Sequence, residues 1–539
     1  MTSVCSSHSS RISPRIGRYL ALLLLVLLWS LSASAETVLR RGIAAEPGTL
    51  DPQSGDSIYQ LHIDADLFEG LTAVAPGGSI VPGQAERWTV SPDGLVWSFT
   101  LRPGLAWSNG TALTSQDFVY SFRRLVDPAN GFRAAFLAEA IRGASALIGR
   151  RETDPARLGV EAPDPRTVRI TLETPNLALP EILALLPPVY RPAVESDGRD
   201  AFKPAHFIGN GAYQLVEWQP NTRIAATRNP RYRDPAAVHI DRVEYYPIED
   251  QDEEFKRYRA GDLDITGDVP KDQLDLIKRD LPAEYKTSPS FGLSYIGFNA
   301  AQPPFQGNAK LREALTLAID REILTDKLVR GGAIPAYGWV PPGVEFYHGA
   351  RFPGAELPQA EREAAARRAY AEAGYSAEHP LHLELTFSTN ENYRRVAIAI
   401  AAMWQQVLGV ETSLRNMELR PFYDLRRQRT GTQAFRGGFR SPYQDPLPLL
   451  DLLRSGSSYN DMSLADPNYD ALLAKGAGAL DRQARLDGFA AAEAAGLADF
   501  AAAPLFFTAQ ERLIKPYVTG WQPSPCDSFR TQDLTITPH

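Results

Sequence analysis

The chain has 539 residues, of which 44% are hydrophobic, and a formal net charge of −8 at pH 7. Single hydrophobic cores stop growing at roughly 250–300 residues, so we expect several domains. The acidic balance argues against nucleic acid and anionic membrane surfaces as partners.

The first residues have the features of a secretory signal peptide. Arginines precede an uncharged, leucine-rich run over 19–31, and Ala33-Ser34-Ala35 follows as a small-residue cleavage site. At about 1.5 Å per residue, this run is too short a helix to cross a hydrocarbon core of roughly 30 Å. We therefore predict cleavage after Ala35, which leaves Glu36 as the first residue of a periplasmic protein.

The cysteines and the absence of common catalytic motifs limit the disulfides, metal sites and catalytic activities that the sequence predicts. Cys5 lies before the apolar run, so it is not the lipid-carrying cysteine of a lipoprotein signal, and cleavage leaves Cys526 alone. A disulfide within the chain and a metal site of the CxxC kind are then excluded. The sequence contains no HExxH, GxSxG or phosphate-binding GxxxxGK[ST] motif, so we expect neither an enzyme nor a cofactor.

The elements predicted in the first half of the chain are mostly strands. Residues 37–43 and 167–173 have strand character, and Trp97, Phe99 and Leu101 alternate as in a half-buried strand. Thr114 is placed to cap a following helix, with Asp117 near its positive end. Five prolines within 175–192 predict an irregular connection between domains.

The second half predicts alternating strands and helices. Apolar residues share one face of a helix predicted over 310–329. Strand 381–387, helix 394–408 and strand 410–414 follow one another and predict a βαβ unit with parallel pairing.

The stretch from Trp88 to Pro128 resembles a signature of the periplasmic solute-binding proteins that serve oligopeptide and dipeptide ABC importers. Its matching runs are Asp93-Gly94, Phe99-Thr100-Leu101-Arg102, Trp107-Ser108-Asn109-Gly110-Thr111 and Asp117-Phe118-Val119-Tyr120-Ser121. Glu46-Pro47-Gly48-Thr49-Leu50-Asp51-Pro52 continues the resemblance, which extends from Thr37 to the C-terminus.

This resemblance implies an α/β, two-lobed periplasmic binding protein fold (type II, cluster C) with an extra domain in the first lobe. Hinge closure around the ligand would bend the chain near Phe291 and Ala509. The implied boundaries are signal peptide 1–35, lobe I 36–68, extra domain 69–190, lobe I 191–291, lobe II 292–508 and lobe I 509–539.

The implied function is capture of oligopeptides or peptide-like solutes and their delivery to the permease subunits of an ABC importer, with a monomer as the family default. In the family's oligopeptide binders, the carboxylate that holds the ligand's amino end lies in the motif G-W-x-x-D-Y. The matching run here is Gly438-Phe439-Arg440-Ser441-Pro442-Tyr443, so proline replaces the aspartate. Proline carries no charge and no N–H, and cannot hold an ammonium group.

Two explanations of Pro442 stay open. Another acid holds the amino group, with Asp445 and Asp56 as candidates, or the ligand is a non-peptide or amine-blocked anion that Arg440 would attract. The resemblance also suggests further ligand-binding residues. They are Tyr120, Tyr295, Phe298, Arg426, Arg436, Phe439 and Tyr443.

Two rival functions come from other classes. A secreted hydrolase could assemble its site from distant residues, although His382, within a predicted strand, is better explained as an ordinary sheet residue than as a general base. A periplasmic chaperone or sensor partner could use the same fold. Activity on peptides would identify the first, and binding of unfolded protein without closure would identify the second.

Overall fold

The computed structural model describes residues 36–54, 57–527 and 529–538. Its first strand, β1 (Val38–Ile43), lies within the strand predicted over 37–43. Helix α1 (Ile58–Leu67) is capped by Ser57, whose hydroxyl oxygen accepts a hydrogen bond from the Gln60 amide at 3.2 Å. A polar residue at this position satisfies one of the amide groups that a helix start leaves unpaired.

Residues 69–190 are those predicted to form the extra domain. Its elements are β2 (Thr72–Val74), β3 (Ile80–Pro82), β4 (Ala85–Val90), β5 (Val96–Leu101), α2 (Ser115–Val126), α3 (Ala144–Ile148), β6 (Val160–Asp164), β7 (Thr167–Thr171) and α4 (Leu179–Leu183). Four strands form a sheet in the order β4-β5-β7-β6. Trp97, Phe99 and Leu101 are buried, as their alternation predicts. The Thr114 amide donates to Asp117 Oδ2 at 2.7 Å at the start of α2.

The chain then returns to lobe I. Its elements there are α5 (Arg191–Asp197), β8 (Tyr213–Gln219), β9 (Arg223–Arg228), β10 (Arg242–Pro247), α6 (Gln251–Ala260) and α7 (Leu274–Asp280). The sheet order is β1-β10-β9-β8, with β1 parallel to β10. The prediction of an irregular connection over 175–192 is partly wrong, because α4 and α5 each begin with a proline in the first turn. Proline is tolerated there since that amide needs no helical partner.

Lobe II is built on a six-stranded sheet in the order β12-β16-β11-β15-β13-β14. Its strands are β11 (Tyr285–Phe298), β12 (Ile334–Pro335), β13 (His382–Ser388), β14 (Glu411–Met417), β15 (Ala434–Arg440) and β16 (Ala502–Leu513). Its helices are α8 (Ala309–Leu317), α9 (Arg321–Ile323), α10 (Gln359–Glu372), α11 (Glu391–Leu408), α12 (Leu419–Gln428), α13 (Leu447–Leu450), α14 (Pro467–Ala477) and α15 (Arg482–Ala498). The chain ends in lobe I with the short pair β17 (Val518–Thr519) and β18 (Thr535–Ile536).

The predicted βαβ unit is confirmed, because β13 and β14 pair in parallel on either side of α11. The single helix predicted over 310–329 is wrong. Helix α8 ends at Leu317, and Asp320 starts a new turn by accepting a hydrogen bond from the Ile323 amide at 3.0 Å. The buried guanidinium of Arg321 donates to the carbonyl of Ile319 at 3.0 Å, so the break leaves that carbonyl satisfied.

Hydrophobic side chains of the described residues pack into three large clusters and one small one. The largest lies within 291–507, the second within 71–186 with Tyr443 added, and the third gathers residues from 39–68, 189–265 and 514–536. These clusters support the predicted domain boundaries, which we keep as a proposal.

Strands β11 and β16 join the two lobes. They pair antiparallel from Tyr285 opposite Leu513 to Gly297 opposite Ala502, and the register is interrupted between Pro289 and Leu293. The proposed hinge at Phe291 lies within this interruption, and Ala509 is paired with Pro289 at its edge. Within the described residues, no helix combines the length and apolarity needed to cross a bilayer.

Candidate functional site

Strand β15 is unpaired along part of one edge. Over its whole length it pairs with β11, from Ala434 opposite Phe298 to Arg440 opposite Gly292. On its other side β13 pairs only with Ala434 and Phe435. The edge of 436–440 therefore has no strand partner among the described residues. Such an edge can accept the backbone of an extended chain.

Arg436 lies on this open part of β15. Its guanidinium carbon is 3.5 Å from the centre of the Tyr393 ring on α11, and its Nη2 donates to Ser294 Oγ at 3.2 Å. The positive charge of Arg436 lowers the pKa of Tyr393. Among the described residues no carboxylate forms an ion pair with Arg436, so its charge can receive an anionic group of a ligand.

Arg440, at the end of β15, faces an ion-pair cluster of lobe I. Its side chain is 36% exposed, and Nη1 lies 3.9 Å from Asp527 Oδ2. Asp527 is buried, contacts His62 Nε2 at 3.0 Å and is hydrogen-bonded by Arg512. Arg440 is thus a cation at the cleft whose nearest acid is already engaged by two other groups.

Aromatic side chains join lobe II to the extra domain beside β15. The rings of Phe439 and Tyr459 meet edge to face with centres 6.0 Å apart, and Tyr459 meets Phe136 of the extra domain in the same way at 5.3 Å. Phe439 is therefore part of the contact that holds the lobes together, next to the open strand edge.

Pro442 lies where three parts of the molecule meet. It lines a first cavity of about 90 Å³ with residues of α1, the extra domain and the C-terminal segment, including Leu61, Phe68 and Phe529. It also lines a neighbouring second cavity of about 190 Å³, and the two share Cys526 on their walls. Burial raises the pKa of the Cys526 thiol to about 12, so this thiol is not a reactive group.

The two residues that follow Pro442 in the predicted site are both buried. Tyr443 packs into the hydrophobic cluster of the extra domain, so lobe II contributes a side chain to its neighbour. The oxygens of Asp445 accept hydrogen bonds from Arg485 at 2.5 and 3.0 Å, and Asp445 Oδ1 also accepts from the Leu447 amide at 2.9 Å. The acid suggested as a substitute anchor already has a buried cation as its partner.

Three of the suggested residues lie inside lobe II. Phe298 is fully buried, with its ring centre 5.0 Å from that of Phe305. Arg426 forms an ion pair with Asp461 at 2.6 Å and donates to the Tyr295 hydroxyl at 3.3 Å. Burial raises the pKa of Tyr295 to about 12. In this conformation these side chains are committed to internal contacts.

Tyr120 and Asp56 stand apart from β15. Tyr120, on α2, packs against lobe I with the Arg191 guanidinium carbon 5.4 Å from its ring centre. Burial raises the pKa of its hydroxyl. Asp56 lies outside the described residues.

Several side chains of this region were not found from the sequence. They are Tyr393, Tyr459, Asp527, His62 and Glu181. Each reaches the site from an element distant in the chain, and no local motif marks any of them. No group of three or more potential metal ligands occurs among the described residues.

Comparison with known proteins shows the family to which the chain belongs. The model of the bacterial extracellular solute-binding proteins, family 5, matches residues 79–461. The periplasmic murein peptide-binding protein MppA of Escherichia coli is 36% identical over 508 residues, 93% of each chain. The probable deoxycholate-binding periplasmic protein YgiS of Escherichia coli is 35% identical over 509 residues, 94% of each chain.

Solved structures show the same fold. That of Escherichia coli MppA has a TM-score of 0.87 at 34% identity, covering 94% of this chain and 99% of that one. That of Haemophilus influenzae OppA in complex with RPPGFSPFR has a TM-score of 0.84 at 31% identity, covering 93% and 99%. The predicted two-lobed α/β fold is confirmed by this likeness. Because the family model matches more than half of the chain and the relatives span nearly all of it, the chain belongs to family 5 of the bacterial extracellular solute-binding proteins.

Proposed function

We propose that this protein captures oligopeptides or peptide-like solutes between its two lobes and delivers them to the permease of an ABC importer. The observation that carries the proposal is the open edge of β15 at 436–440, whose last residue, Arg440, lies 3.9 Å from Asp527 of lobe I. Main-chain pairing along such an edge binds a peptide without reading its sequence. Two relatives named for peptide binding, MppA and OppA, share this fold.

The charges beside this edge fit the carboxylate end of a peptide better than its amino end. Arg436 has no ion-pair partner among the described residues, and Arg440 is partly exposed. A charge-assisted hydrogen bond to such a cation is about twice as strong as a neutral one. Tyr393, stacked under Arg436, holds the guanidinium in place.

The cellular setting belongs to the same proposal. The relatives named above are periplasmic, and the first 35 residues have the composition of a signal peptide without a lipid-carrying cysteine. We expect a secreted monomer that works without a catalytic step or cofactor. Closure at the paired strands β11 and β16, where the chain passes between the lobes, would present both lobes to the permease.

Isothermal titration of the chain beginning at Glu36, freed of ligand by denaturation and refolding, tests the proposal. We expect binding of short peptides such as trialanine, and weakening by about 10- to 100-fold in Arg436→Met. Peptides amidated at the C-terminus should lose this dependence on Arg436. Arg415→Met, an exposed arginine on β14, is the matched control. Absence of binding across peptides of different lengths would contradict the proposal.

The alternative is the same transport role with a non-peptide or amine-blocked anionic ligand. Pro442 favours it, because it places an uncharged ring on the wall of a cavity with apolar side chains. The relative YgiS is named as a probable deoxycholate-binding protein. Tight binding of deoxycholate that excludes trialanine would select this alternative.

A further inference from the structure

The second cavity at Pro442 is lined by residues from three parts of the chain. It is enclosed by the β2–β3 hairpin and α4 of the extra domain, by 442–444 of lobe II and by 524–526 of the C-terminal segment. Glu181 is its only charged residue among the described ones. All three parts of the molecule therefore meet around one acid.

Glu181 forms no ion pair with a described cation, and only one of its two carboxylate oxygens lacks a hydrogen bond. Its Oε2 is buried and makes no hydrogen bond with any described residue. Burial, reinforced by the charge of Asp445, raises its pKa. Arg485 acts on Glu181 electrostatically, but both outer nitrogens of that arginine donate to Asp445.

A second polar group on the same wall is also unsatisfied. Ser524 is 5% exposed, and its hydroxyl makes no hydrogen bond with a described residue. Unpaired polar atoms in a buried place are costly unless a partner arrives. A carboxylate and a hydroxyl together supply acceptors for a group that carries several N–H donors.

The first cavity is a weaker candidate for a ligand site. Its acids Glu69 and Asp527 are engaged by Arg233 and Arg512. Asp64 remains, with one oxygen unpaired, but Gln60 donates to its other oxygen at 2.9 Å. The surroundings of Asp64 are largely apolar, whereas the second cavity combines an acid with an unsatisfied hydroxyl.

We infer that Glu181, with Ser524 on the wall of the same cavity, binds the positively charged amino group of the ligand at the second cavity, which Pro442 also lines. The acid that the motif lacks at position 442 would thus be supplied by the extra domain. This inference rests on the proposed capture function and adds to it a required chemical group, a primary amine.

The test compares trialanine with N-acetyl-trialanine by isothermal titration. Native protein should prefer the free amine, and Glu181→Gln should bind trialanine about 10- to 100-fold more weakly while its affinity for the acetylated peptide stays unchanged. The acetylated peptide thereby reports that the variant is folded. Glu161→Gln, an exposed acid of the same domain, is the matched control and should behave as the native protein. Asp64→Asn tests the first cavity and should keep the preference for the amine.

Equal affinity of the native protein for both peptides would overturn the inference. So would a preference for the free amine that is unchanged in Glu181→Gln, or one that is lost in Asp64→Asn. Compounds released from purified protein give a second readout, with reductive dimethylation to mark primary amines. A non-peptide amine that Glu181→Gln no longer retains would sustain the inference and contradict the peptide proposal. A bound peptide with a blocked amino end would support the peptide proposal and contradict the inference about Glu181.

Discussion

Single side chains decide which of the charged groups near the cleft can meet a ligand. Asp445 and Arg426 are attractive from the sequence, yet each is neutralised inside the protein, by Arg485 and Asp461 respectively. Arg436 and Glu181 have no such partner among the described residues. A local motif shows that a charge is present, but the distant residue that neutralises it is brought near only by folding.

Asp445→Asn tests this assignment. The change leaves Arg485 buried without a counter-ion, which costs about 3–5 kcal/mol of unfolding free energy. Urea denaturation should show this loss, while the preference for free-amine peptides should persist. Asp424→Asn, at an exposed ion pair with Arg427, is the control and should cost less than about 1 kcal/mol. A stable variant with altered ligand preference would mean that Asp445 binds ligand after all.

Glu254 predicts how the free energy of unfolding changes with pH. This buried acid on α6 accepts a hydrogen bond from the Gly267 amide at 2.7 Å, and burial raises its pKa from 4.5 to about 7. Between these values the folded chain holds more protons than the unfolded chain, so the contribution of Glu254 to stability falls as the pH rises towards 7. The slope is at most about 1.4 kcal/mol per pH unit. Glu254→Gln should remove this slope from unfolding free energies measured between about pH 5 and 7. An unchanged slope would rule out Glu254 as its source.

At the scale of elements, capping and pairing set where helices and strands end. Most of the apolar face that predicts one helix over 310–329 is buried, although Ile323 is 47% exposed. Asp320 and Arg321 nevertheless break the predicted helix into α8 and a second short segment. Strand β15 continues past the end of its pairing with β13, and this difference in extent creates the open edge.

Asp320→Ala should cost about 1 kcal/mol of unfolding free energy, because the Ile323 amide loses its acceptor. Asp326→Ala, an exposed acid in the same segment, should change stability by less than about 0.5 kcal/mol. Thermal or urea unfolding of the two variants provides the comparison. Equal effects would show that the break between the helices does not depend on the Asp320 cap.

Across the molecule, the ion pairs between lobes carry their positive and negative charges on fixed sides. Among the described residues there are four such pairs, and in each the arginine belongs to lobe II and the acid to lobe I or the extra domain. These pairs are Arg330–Asp275, Arg395–Asp272, Arg440–Asp527 and Arg454–Glu139. Opposed charges of this kind favour closure and are screened by salt.

Removing two of these cations should shift the molecule towards an open form. Exposed ion pairs contribute about 0–1 kcal/mol each, so Arg330→Gln with Arg395→Gln should weaken ligand binding by up to about tenfold. Small-angle scattering should show a larger radius of gyration at subsaturating ligand. Native protein in high salt should respond in the same direction, and Arg415→Gln should have no effect. Salt-independent closure would contradict the role of these pairs.

The family, the elements with a clear local pattern and the lack of an aspartate at position 442 can all be read from the amino-acid sequence. Alternation in β5, the capping residues of α2 and the order of strands and helices around α11 are local properties, so they are legible in short windows of the chain. Tertiary structure alone decided which charges are paired, because Arg485, Asp461 and Arg512 come from remote segments. It also brought Glu181, Pro442 and Ser524 to one cavity, since three parts of the chain must fold before that wall exists.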